Sequence, residues 1–174
     1  WKNLEYIFIT HMHPDHTGGL LPFLFYRKIY SIASPLTIIG PPNLEAFLTD
    51  SFQHTGISYN QDLSYINIAS HPAIALNQGI SLHALAMEHT IPCWAYAVID
   101  GSQKLVFVTD TRRNDNTVKL AKNADVLIHE ATFQHYQHDK AIEHLHTTEI
   151  QAMEIADAAQ VKRLVLTHFS ARLT

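Results

Sequence analysis

Hydrophobic positions along the chain come as short runs and as helical stripes, and the two kinds alternate. Tyr6-Ile7-Phe8-Ile9 is a run rich in aromatic and β-branched residues, the signature of a buried strand. Leu20, Phe23, Leu24 and Tyr26 then mark one side of a helix over about residues 19–31, with Pro22 tolerable in its first turn. Leu36-Thr37-Ile38-Ile39-Gly40 reads as a second strand, closed by Gly40-Pro41-Pro42. Leu44, Phe47, Leu48 and Phe52 fall at i, i+3, i+4 and i+8, so residues 43–54 form a half-buried helix that Gly56 ends.

From residue 57 to 86 the alternation is weaker, with turn signals at Asn60-Gln61-Asp62 and Asn77-Gln78-Gly79. Residues 63–68 and 80–85 read as strands of a meander. Residues 94–99 and 104–108 are strands flanking Asp100-Gly101-Ser102-Gln103, a four-residue hairpin connection. A modest helix is expected over 114–123 and a buried strand over 126–128. Thr148 with Gln151 resembles a capping box opening a helix through about Ala159, and residues 163–167 form the last strand. A β-rich first part followed by βαβ alternation predicts an α/β layered sandwich in one domain spanning 1–174. The chain opens at Trp1, beside its first strand, and stops at Thr174 just after a polar strand end. Both ends read as cut, so a piece of a longer protein is expected.

Composition changes this picture in one respect. The 174 residues are 47% hydrophobic and 16% charged, an ordinary globular balance with a net charge of −4. That charge argues against an overall basic field for nucleic acid, so any RNA contact falls to local basic groups. No apolar run approaches the roughly 18 residues that span a bilayer. Cys93 is the one cysteine, which excludes an intrachain disulfide and a cysteine-rich zinc site and is consistent with a reducing cytoplasm. The anomaly is 13 histidines against 12 lysines and arginines.

Those histidines have a pattern. Directly after the first strand stands Thr10-His11-Met12-His13-Pro14-Asp15-His16-Thr17-Gly18-Gly19, with imidazoles and a carboxylate packed into six positions. Nitrogen and oxygen donors of this kind suit zinc and related divalent ions. Three more strand ends carry similar groups: Glu88-His89-Thr90, Thr109-Asp110-Thr111 and Thr167-His168-Phe169-Ser170. One strand-end Asp is ordinarily a turn former and one His a surface residue. Their recurrence at several strand ends points to one rim of a sheet, where α/β folds build sites.

With these motifs in hand the chain resembles the metallo-β-lactamase superfamily. More narrowly it resembles the ribonuclease Z branch, on Glu88-His89-Thr90-Ile91-Pro92, Leu127-Ile128-His129-Glu130-Ala131-Thr132-Phe133, His146-Thr147-Thr148 and Leu166-Thr167-His168-Phe169-Ser170-Ala171-Arg172. The resemblance implies a four-layer αββα sandwich, here lacking its N-terminal strands, and a site for two Zn2+, with Mn2+ or iron acceptable to the same ligands. His11, His13 and His89 would hold one ion, Asp15, His16 and His168 the other, and Asp110 would bridge. The implied reaction is phosphodiester hydrolysis, a dinuclear metal-activated hydroxide attacking phosphorus. Asp15 would orient the nucleophile, and His146, steered by Glu130, would protonate the leaving oxygen. Arg172 is the implied phosphate contact, with Arg112 and Arg113 behind it. The implied partner is precursor transfer RNA, the implied location the cytoplasm and the implied assembly a homodimer. His129 is expected beside the site. Phe133, Tyr136, His135 and His138 are candidates for base stacking, with core or surface duty weighed above it.

Two departures bear on substrate. Strands that precede the His-x-His motif in the family are absent from this sequence, which predicts a sheet short of partners with exposed apolar edges. The long RNA-gripping arm of ribonuclease Z enzymes is missing too, because only twenty residues separate His89 from Asp110. A related hydrolase acting on a small phosphodiester such as a cyclic nucleotide is therefore the alternative. A non-catalytic, metal-stabilised scaffold stands last, because such a chain would be free to lose the ligands it has kept.

Overall fold

The structure is a computed structural model that describes residues 2–57 and 62–170. It divides into two compact units, Trp1–His71 and Pro72–Thr174, each with its own apolar core.

The first unit is built on parallel strands β1 (Tyr6–Phe8), β2 (Leu36–Gly40) and β3 (Leu63–Asn67), in that order across the sheet. Parallel neighbours need long crossovers, and helices supply them. A short α1 (Pro14–Thr17) and α2 (Leu20–Ile29) lead from β1 to β2, and α3 (Leu44–Thr55) leads from β2 to β3. The helices expected over 19–31 and 43–54 are both present, so the β-rich opening expected for this part is corrected to alternation of strand and helix. Ile9, Leu20, Leu24, Ile38, Leu44, Leu48 and Phe52 fill the core. Gly56 ends α3 at φ 66°, a left-handed conformation that costs a residue with Cβ more than it costs glycine. A Cβ on Gly40 would come within 3.1 Å of Ile9 Cβ, so β2 reaches close to the residue that leads into the histidine motif. The turn expected at Asn60-Gln61 lies outside the described residues.

The second unit is a six-stranded sheet in chain order: β4 (Ala73–Ala75), β5 (Ser81–Met87), β6 (Cys93–Asp100), β7 (Gln103–Val108), β8 (Val126–Glu130) and β9 (Leu164–Thr167). It is antiparallel from β4 to β7 and parallel from β7 to β9. Parallel pairing begins where α4 (Asp115–Ala121) and α6 (Glu149–Ala158) make crossovers, with α5 (His138–Glu143) preceding α6. Thr148 and Gln151 form the capping box that the sequence predicts. The β6–β7 connection is tighter than expected: Asp100 pairs with Gln103, leaving a two-residue turn at Gly101-Ser102. Strand β4 and the turn of helix at His135–Gln137 were not expected from periodicity, being too short to show one.

Val106, Val108, Leu127, Leu120 and Ile155 bury one face of this sheet. The other face is less covered, with Leu105 and Val165 exposed. No helix among the described residues is long and apolar enough to cross a membrane.

Candidate functional site

In the first unit the chain leaves β1 while still paired, Ile9 N–H donating to Ile39 C=O at 2.8 Å, and enters the histidine motif already buried. His11 is fully buried, with Thr10 Oγ1 3.0 Å from its Nδ1 and His13 Nδ1 2.9 Å from its Nε2. The His16 ring lies 4.1 Å from that of His11, centroid to centroid. Pro14 opens α1 at a position where its missing N–H costs nothing and its fixed φ suits a helix. The helix then presents Asp15 and His16 side by side, His16 Nε2 3.4 Å from Asp15 Oδ2. Sequence reasoning named all four groups, and within this unit they form one cluster. Ring nitrogens facing each other across 2.9 Å, and a carboxylate beside the His16 ring, are donors of the type a divalent cation takes.

In the second unit β5, β7, β8 and β9 all end on one rim, because β6 alone runs the other way among these five strands. Their ends deliver His89, Asp110, Glu130 and His168. Asp110 is buried, and its two oxygens face two different imidazoles: Oδ2 is 3.6 Å from His89 Nε2 and Oδ1 is 3.3 Å from His168 Nε2. A carboxylate with one histidine at each oxygen has the donor set of a ligand bridging two cations. Asp110, His146 and His168 also place ligand atoms within 4.8 Å of one another, so by distance alone His146 qualifies as a ligand. Asp110 (φ 56°) and His168 (φ 58°) both sit in the left-handed region, as does Leu145 (φ 54°), the residue before His146. For residues with Cβ this is strained backbone, and it turns each chain sharply off its strand or helix toward the rim. The carbonyl of Leu145 accepts from His89 Nδ1 at 3.4 Å, which fixes the orientation of that ring.

Glu130 is the most enclosed charge here. Its Oε1 accepts from Thr111 N–H at 2.6 Å and from His146 Nδ1 at 3.0 Å. Its Oε2 accepts from Thr132 Oγ1–H at 2.6 Å and from Thr147 N–H at 3.1 Å. Two donors per oxygen is the full complement of an ionised carboxylate. The pairing of His146 with Glu130 expected from the sequence is therefore present. Thr111, Thr132 and Thr147, to which sequence reading gave no part, hold the pair together. Their only signal in the sequence was position: Thr111 follows Asp110, Thr147 follows His146, and Thr132 stands two residues after Glu130.

Around this network, His129 is fully buried on β8, its Nδ1–H donating to the Glu130 carbonyl at 2.7 Å, and burial pushes its pKa below the usual 6.5. Cys93 is buried; burial first, then the negative charges of Asp110 and Glu130, push its thiol far above the ordinary range. Arg112 pairs with Glu88 and Arg113 with Glu154, all about half exposed. An open groove of about 470 Å³ runs past His89, walled by Ile91, Pro92 and Leu145 and rimmed by Glu88 and Arg112. Phe133 is core, stacked on His144, whereas Tyr136 is exposed. Arg172 lies outside the described residues.

Histidine and aspartate clusters that can hold metal, set at strand ends of an α/β fold, define the class as a metallo-hydrolase. The family model for the beta-lactamase superfamily domain matches residues 1–169, and the chain belongs to that superfamily. Within it, the chain is 32% identical to ribonuclease BN of Proteus mirabilis, over 98% of this chain and 72% of that protein. It is 29% identical to ribonuclease Z of Limosilactobacillus reuteri, over 99% of this chain and 72% of the relative. The crystal structure of the short form of human tRNase Z superposes with a TM-score of 0.84 at 30% identity, covering 98% of this chain and 74% of the other. The fold is thus the α/β metallo-β-lactamase fold, and the chain is a metal-dependent hydrolase of the ribonuclease Z-like branch. The match to the Proteus protein extends over 221 positions, more than this chain's 174 residues, so the relative carries inserted residues that this chain lacks. Between His89 and Asp110 there are only the short lead-in Thr90-Ile91-Pro92, β6, a two-residue turn, β7 and Thr109.

Proposed function

We propose that the chain hydrolyses phosphodiesters in RNA in the manner of ribonuclease Z, with precursor transfer RNA as the first substrate to test and the cytoplasm as its place of action. His11, His13 and His89 would hold one divalent ion, such as zinc, and Asp15, His16 and His168 a second, with Asp110 contributing to both. Bound there, the ions supply Lewis acidity and bring the pKa of water toward neutrality. The chain's own residues do the rest. Asp15 orients the nucleophile. His146 gives a proton from Nε2 to the leaving oxygen while its Nδ1–H stays on Glu130, and the carboxylate stabilises the imidazolium. Arg172 is the proposed contact to the substrate phosphate.

The observation that carries this reading is the pairing of buried Glu130 with partly buried His146, beside Asp110 and His168. A scaffold that only bound metal would need no such pair. The missing arm favours a second reading, a hydrolase of small phosphodiesters, since only a two-residue turn joins β6 and β7.

The test uses the purified chain loaded with zinc, assayed on precursor transfer RNA beside bis-p-nitrophenyl phosphate and a cyclic nucleotide. Cleavage that Asp15→Ala abolishes supports the hydrolase, and the preferred substrate separates the two readings. Equal rates for the two proteins on every substrate overturn both. His146→Ala is expected to slow turnover with metal content unchanged; lost metal would make His146 a ligand instead.

A further inference from the structure

The Thr132 hydroxyl stands among three groups that matter to the proposed reaction. Its Oγ1 is 2.6 Å from Glu130 Oε2, 2.9 Å from His168 Nδ1 and 3.3 Å from His146 Nδ1. A threonine hydroxyl has one proton and two lone pairs, so its three neighbours cannot be served arbitrarily. The ionised carboxylate can only accept, and it is the nearest, so the proton goes to Glu130. Oγ1 must then accept, and its donor is the His168 Nδ1–H. His146 is already committed, because its Nδ1 lies 3.0 Å from Glu130 Oε1. His168 is then protonated at Nδ1, and its Nε2 lone pair, with Asp110 Oδ1 3.3 Å away, is directed to a cation that both would hold.

The backbone reinforces the side chain. The Thr132 carbonyl accepts from Ser170 N–H at 3.2 Å, and Ala131 N–H donates to the Thr167 carbonyl at 2.9 Å. His168 is thus held on both sides by the segment that carries Thr132, while its own φ of 58° keeps it off the β9 direction. Thr132 is itself buried.

We infer that Thr132 is a positioning residue: its hydroxyl sets the tautomer of His168 for metal binding and links that ligand to the Glu130–His146 pair. The inference rests on the proposed function for its purpose, though not for its geometry. Partners one step removed from a metal ligand typically govern affinity by about 10–100-fold.

Two measurements test it. In zinc-loaded wild-type protein at pH 8, two-bond proton–nitrogen NMR of the histidine rings reports the tautomer of His168, assigned by the signal lost in His168→Asn. The expected form is Nδ1–H; an Nε2–H ring overturns the inference without recourse to any variant. Zinc affinity by chelator competition is expected to fall about 10–100-fold in Thr132→Val and to stay within about threefold of wild type in Thr132→Ser. Equal losses in both variants, or none in either, overturn it as well. A wild type with Nδ1–H His168 but no hydrolysis would sink the proposed function and keep this inference. An active wild type with Nε2–H His168 would do the reverse.

Discussion

Replacing Glu130 by glutamine changes one oxygen for an NH2 group and little else in shape, so it isolates the question of how that carboxylate is held. All four of its hydrogen-bond positions are filled by donors. If the amide nitrogen takes the Oε1 place, it faces the Thr111 N–H, which cannot turn away. If it takes the Oε2 place, the Thr132 hydroxyl can rotate to accept, but the Thr147 N–H cannot. Either way one buried backbone N–H loses its acceptor, at about 1–3 kcal/mol. The remaining bonds lose their charge assistance, a loss opposed by relief from burying a charge. The orphaned N–H therefore sets the scale, and Glu130→Gln is expected to lower stability by about 1–3 kcal/mol. For a chain of this size that is a fall in Tm of roughly 2–4 °C per kcal/mol. Urea denaturation followed by circular dichroism, with chelator present so that metal plays no part, measures it. A variant within about 0.5 kcal/mol of wild type would refute the four-donor account.

The other expectations concern buried charge and backbone. Because the folded-state pKa of His129 is depressed, both folded and unfolded chains carry it neutral above 6.5, and only the unfolded chain protonates as pH falls below that value. Relative to His129→Gln, wild type is therefore expected to lose up to about 1.4 kcal/mol of stability between pH 7.5 and 5.5, read from urea midpoints; a pH-independent difference would show that the folded ring protonates freely. Gln160 follows α6 at φ 54°, where glycine fits better, so Gln160→Gly is expected to raise stability by about 0.5–1 kcal/mol with turnover unchanged. A lower Tm in that variant would count against the assigned conformation.

Much of this was legible from residue types alone. The strands and helices of the first unit followed from apolar runs and i, i+3, i+4 spacing, because each element buries a continuous face. The metal-type residues were legible because His11 to His16 crowd into a few positions, and because His89, Asp110 and His168 recur at strand ends. The threonines were not. A buried Thr132 and an exposed threonine look alike in sequence, and what distinguishes Thr132 is a carboxylate two residues away and an imidazole 36 residues away converging on one oxygen. The tight β6–β7 turn was missed because Asp100 and Gln103 look like loop residues, yet pairing extends to them. Strand β4 was missed because three residues carry no period. Which ring nitrogen bears a proton is set by contacts between distant segments, and no local pattern records it.

The left-handed backbone at Asp110 and His168 also limits how these positions can drift over generations. Asparagine, aspartate, histidine and glycine tolerate that conformation best; valine and isoleucine scarcely do. A descendant that abandoned the chemistry would still need those two bends to close its strands, so substitutions that keep the fold are drawn from that short set. Asparagine at either position, with the rest of the sequence little changed, would be the mark of a lineage that gave up its metal and kept its shape. Alanine scanning there blends two losses, a proposed ligand and a bend, and asparagine substitutions separate them.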